Sequence, residues 1–138
     1  MENETGKRYT EDEYLELERK AEFKSEYYAG EIFMMAGAKE HHNLILWNLL
    51  GEIHALFKKR PCKAYPSDMR VKVSESGLYT YPDISIVCDK AEFLDENNDT
   101  LLNPIVIIEV LSESTESYDR GKKFEFYRCP RCLSVVIF

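Results

Sequence analysis

A chain of 138 residues with 44% hydrophobic and 31% charged residues is sized and balanced for one domain with a modest core, which excludes a disordered tract. Its net charge of −7 supplies no global positive field for a polyanion, although a local basic groove is compatible with an acidic total. There is no run of about 18 apolar residues, and Met1-Glu2-Asn3-Glu4 is acidic and polar, so neither a membrane span nor a signal peptide is expected and the cytoplasm is the expected compartment.

Thr10 stands before Glu11, Asp12 and Glu13, an N-cap with a glutamate three residues on, so a short helix is expected over residues 11–20. Its apolar contribution is Tyr14, Leu15 and Leu17. Tyr27 to Met35 predicts two short strands around a turn at Ala29-Gly30, with Glu26 and Glu31 as solvated hairpin charges by residue type alone. A long helix follows over residues 39–59, where Leu46, Leu49, Leu50, Ile53, Leu56 and Phe57 recur at three and four residues as one buried stripe. Lys58, Lys59 and Arg60 suit its C-terminal dipole, and Pro61 stops it. His41 and His42 fall in its first turn, where a histidine is ordinarily exposed or capping.

Met69-Arg70-Val71-Lys72-Val73 alternates apolar and basic residues, a half-exposed strand with Arg70 and Lys72 on the outer face. A turn at residues 74–77 leads into a strand over 79–88, in which Pro82 marks an edge, a start or a bulge. Residues 89–103 are polar and acidic, a solvated connection with room for a helical turn near 91–94. Ile105 to Leu111 is an almost unbroken apolar run, as in a central strand covered on both faces, and Glu109 is its only charge. Asp83 is the corresponding acid of the preceding strand. Strands lying side by side would bring Asp83 and Glu109 together, and two like charges that close favour a divalent cation between them. The plainer alternative is Glu109 paired with a core arginine. Asp119 can cap a helix through Tyr127, and Leu133 to Phe138 reads as a last strand. Cys62, Cys88, Cys129 and Cys132 are expected as free thiols in a cytoplasmic chain. Cys129-Pro130-Arg131-Cys132 is half of a zinc site, but no second ligand pair accompanies it, so structural zinc is not expected.

The order of these elements, with Glu26-Tyr27-Tyr28-Ala29-Gly30-Glu31-Ile32, His42-Asn43, Ser67-Asp68-Met69-Arg70-Val71, Tyr81-Pro82-Asp83, Glu109-Val110-Leu111-Ser112 and Tyr118-Asp119-Arg120-Gly121-Lys122-Lys123-Phe124, resembles the PD-(D/E)xK nuclease superfamily. More closely, it resembles the Uma2 (DUF820) family of restriction-endonuclease-like proteins. The resemblance implies a single α+β or α/β domain over 1–138, with a restriction-endonuclease-like core: a central mixed sheet flanked by helices, preceded by an N-terminal helix and a β-hairpin. It implies hydrolysis of a DNA phosphodiester by metal-activated water, with Mg2+ (or Mn2+) held by Asp83, Glu109 and the Val110 carbonyl. In the usual spacing the lysine would stand at position 111, where this chain has Leu111; the residue that matches is Lys123 from the following helix. Glu31 and His42 match positions near the site, for metal support and for proton or phosphate contact. After Tyr127-Arg128 the pattern departs, so C-terminal strands are expected to be missing, leaving an exposed edge that favours a homodimer. That departure and the acidic total favour an alternative, a catalytically inactive nucleic-acid-binding or assembly protein that keeps the fold.

Overall fold

Residues 6–74 and 76–111, together with the backbone of 134–137, are described by the structure, a computed structural model. The first helix, α1 (Glu11–Lys20), begins with the reciprocal cap its sequence predicts: the Glu13 N–H donates to Thr10 Oγ1 at 3.1 Å and the Thr10 N–H to Glu13 Oε1 at 3.0 Å. Tyr14 and Leu15 are buried, while Leu17, off the contact stripe, is exposed. Strands β1 (Ser25–Tyr28) and β2 (Glu31–Met34) form the expected hairpin. Ala29 and Gly30 carry φ of 50° and 87°, the left-handed pair that a two-residue turn requires.

The long helix α2 (Glu40–Phe57) leads to β3 (Cys62–Tyr65), β4 (Arg70–Val73), β5 (Leu78–Thr80), β6 (Ile84–Cys88), β7 (Thr100–Leu101), β8 (Val106–Glu109) and β9 (Ser134–Ile137). Hydrogen bonding divides these strands between two mixed sheets, ordered β2-β1-β5-β4-β7 and β3-β6-β8-β9. Each contains one parallel pair, β4 with β7 and β8 with β9. Period-two alternation explains the layering. Ile84, Ile86 and Ile108 face the α2 stripe of Leu46, Leu49, Leu50, Ile53 and Phe57. Ile107, one residue out of phase, meets Val71, Val73, Leu78 and Leu101 of the other sheet. The far face of that sheet presents Tyr27 and Tyr79 to Tyr14 of α1, with ring centroids 5.0 and 5.4 Å from Tyr14.

Several local expectations give way to tertiary context. The strand expected over 79–88 is two strands, because Pro82 has no N–H for the ladder and the chain changes sheets at Tyr81-Pro82-Asp83. Arg70 is buried rather than outward, since α1 covers that face: its Nε donates to Thr100 Oγ1 and its Nη1 to the Tyr81 hydroxyl, both at 2.9 Å. Its Nη2 lies 3.0 Å from Asp99 Oδ2, an ion pair without hydrogen-bond alignment. Lys72 pairs with Glu11 of α1 at 3.2 Å. The acidic connection has no helical turn; it is held by the Phe93–Leu101 bridge and by Arg19, whose guanidinium spans Asp95 and Asp99. Cys62 and Cys88, expected as free thiols, are register partners on β3 and β6 and are joined as a disulfide. Leu56 sits at the edge of the α2 stripe and is 60% exposed. The expected strand near the C-terminus is β9. The helix expected after Asp119 and the Cys129–Cys132 pair lie outside the described residues.

Candidate active site

Antiparallel β6 and β8 pair Ser85 with Ile107 and Ile84 with Ile108, and one further step of the same register sets Asp83 opposite Glu109. Glu109 is 4% exposed, as its place in the apolar run requires. The ladder stops short of Asp83 because Pro82 precedes it. The freed carboxylate turns onto the end of β8, where its Oδ2 accepts the Val110 N–H at 2.7 Å.

Helix α2 supplies the third member. Leu46 is docked against Ile84 and Ile108, and His42, one turn earlier on the same stripe, is thereby carried over the strand ends. Its Nε2 lies 3.2 Å from Asp83 Oδ2 and 3.0 Å from the Val110 carbonyl oxygen. Both neighbours are acceptors, so the ring holds its proton on Nε2 and donates there. The His42 and Asp83 side chains are 14% and 15% exposed, and His42 Nδ1 is buried without a hydrogen-bond partner among the described residues. His42 is therefore neither the exposed nor the capping histidine its position suggests.

A carboxylate oxygen and a carbonyl oxygen thus converge on one N–H, with a second buried acid opposite in the register. That donor set is hard oxygen, which suits Mg2+ or Mn2+ and not a thiolate-loving metal. Among the described residues, no three His, Cys, Asp or Glu side chains surround one point, so the fit rests on the oxygen chemistry of Asp83 and the Val110 carbonyl, with Glu109 opposite in the register. Of the other residues singled out from the sequence, Glu31 lies on β2 at the edge of the other sheet, with its carboxylate 2.8 Å from Arg8. Lys123 lies outside the described residues.

Two buried polar side chains away from this cluster run against the sequence expectation or escaped it. Glu26, expected in solvent, is 3% exposed and accepts the Thr80 hydroxyl. The signal was available in the hairpin's alternation: with Tyr27 turned to α1, Glu26 must face the space between the sheets. Tyr81, just before Pro82, accepts from Arg70 and donates to Glu18 Oε2 at 2.6 Å. Burial, reinforced by the Glu18 carboxylate, pushes its phenol well above the ordinary tyrosine value, so it stays a donor.

The Uma2 family model, described as "Putative restriction endonuclease", matches residues 11–138. An uncharacterised protein of Synechocystis sp., sll1609, is 39% identical over 124 residues, spanning 90% of this chain and 70% of its own length. A second uncharacterised Synechocystis protein, slr1290, is 34% identical over 116 residues, spanning 84% of this chain and 60% of its own length. Among solved structures, a "putative nuclease belonging to DUF820" from Anabaena variabilis superposes with a TM-score of 0.72 at 24% identity, over 94% of this chain and 74% of that one. The restriction-endonuclease-like α+β fold expected from the sequence is therefore the fold observed.

Proposed function

We propose that this chain, which belongs to the Uma2 (DUF820) family, is a metal-dependent endonuclease that hydrolyses DNA phosphodiester bonds. The observation that carries the reading is the meeting of Asp83 Oδ2 and the Val110 carbonyl at His42 Nε2, beside the buried Glu109. Asp83, Glu109 and the Val110 carbonyl would hold Mg2+ or Mn2+. When bound, such an ion lowers the pKa of a water ligand and offsets charge developing on phosphate. The chain's own residues would do the rest. Lys123 would orient the attacking water or stabilise the phosphoryl oxygens. His42 would hold or pass a proton at Nε2 or contact the phosphate, and Glu31 would take at most a supporting part from its hairpin. A cytoplasmic location belongs to the same proposal, and there the Cys62–Cys88 bond would be open to reduction.

Supercoiled plasmid incubated with the protein and Mg2+ or Mn2+ tests the proposal. Nicking that requires the metal and is lost in Asp83→Ala and Glu109→Ala is the expected result. An Asp83→Ala protein as active as the parent overturns the site, and a Lys123→Ala protein as active as the parent removes that lysine from the chemistry. A parent that binds DNA without cutting under either metal would favour the non-catalytic alternative.

A further inference from the structure

Helix α2 buries one face and leaves the other unusually apolar. Leu44 is 50% exposed and Trp47 75% exposed, well beyond what a solvated helix face needs. Helical spacing sets Glu40, Leu44, Trp47, Gly51, Ala55 and Lys58 in one outward row, all exposed. Among the described residues, no atom beyond the neighbouring residues and the helix's own backbone lies within 4 Å of a Cβ built on Gly51, so the row has an open notch beside its largest side chain.

We infer that this face docks a second copy of the same chain, packed antiparallel about a two-fold axis midway between Trp47 and Gly51. An axis there sets each Trp47 on the partner's Gly51 and each Leu44 beside the partner's Ala55. It also sets each Glu40 opposite the partner's Lys58. The surface is thus self-complementary in size and in charge, as an isologous contact must be. Charge also selects the direction. Along the outward row Glu40 stands at one end and Lys58 at the other, so a parallel pairing would set Glu40 on Glu40 and Lys58 on Lys58. An 18-residue helix is about 27 Å long and roughly 10 Å wide, so its face covers on the order of 300 Å2 per copy. That is less than the roughly 800 Å2 per partner of a standard interface, and it predicts a weak, concentration-dependent dimer.

Trp47 is the only tryptophan, so its emission reports on this face alone. As concentration rises across about three decades to roughly 1 mM, emission should shift to the blue while the sedimentation mass climbs from 16.2 kDa toward twice that value. Trp47→Glu should stay monomeric with native circular dichroism. Glu40→Lys and Lys58→Glu should each weaken association several-fold, and the double reversal should restore it. A parent that is monomeric with red emission throughout overturns the proposal, as does a dimer indifferent to Trp47→Glu. Blue emission at monomer mass overturns it too, because the face would then be covered by the chain itself.

Discussion

Asp83 does two things with one carboxylate, and they can be separated by substitution. Its Oδ2 satisfies the Val110 N–H at the end of β8 and receives His42. Asp83→Ala strands a backbone donor in a site that is largely buried, which costs about 1–3 kcal/mol. Asp83→Asn keeps an acceptor for that donor and should remain within about 1 kcal/mol of the parent by urea denaturation, while losing the charge on which a cation depends. Asp83 and Glu109 were legible because a carboxylate in a β-branched strand is costly without a reason. The site role of His42 came from resemblance, and its burial from the docking of α2. Glu26 was misread because residue type outweighed alternation, and a four-residue strand offers little period to count.

At the scale of elements, the features encoded locally are the ones the chain announces. The capping box of α1 and the Ala29-Gly30 turn need only their neighbours, and both form where the sequence puts them. Thr10→Ala should cost about 1 kcal/mol, read from the urea midpoint at unchanged slope. Arg70 and Lys72 illustrate the opposite case: alternation identified their face, but not that α1 would cover it and convert an outward arginine into a buried one bonded to Thr100 and Tyr81. The Cys62–Cys88 link depends likewise on the register of two strands 26 residues apart in sequence. Its reduction, or Cys62→Ser with Cys88→Ser, should lower unfolding free energy by about 3–4 kcal/mol on the chain-entropy scale, checked by denaturation with and without a thiol reductant.

Across the whole molecule, the acidic connection is tied to α1 by charge. The Arg19 guanidinium, helped by Arg70, holds Asp99 down at about 2. Bonds from Asn97, then Arg19, hold Asp95 below the ordinary carboxylate range. Depressed acids stabilise the fold above their unfolded pKa near 3.8 and lose that contribution as pH falls through the folded value. Thermal melts should therefore show a decline in the midpoint from about pH 4 down to about pH 2, and Arg19→Ala should flatten it. The change of sheet after β5 follows from one proline and the layering from alternation, while the order of strands within each sheet requires contacts that no local pattern encodes. The proposed hydrolysis requires that Asp83 and Glu109 share a cation. Calorimetric titration of the parent with Mg2+, repeated on Asp83→Ala and Glu109→Ala, measures that directly: it predicts saturable binding in the parent that both substitutions abolish, and a parent that binds no metal, or variants that bind it as well as the parent, would contradict it.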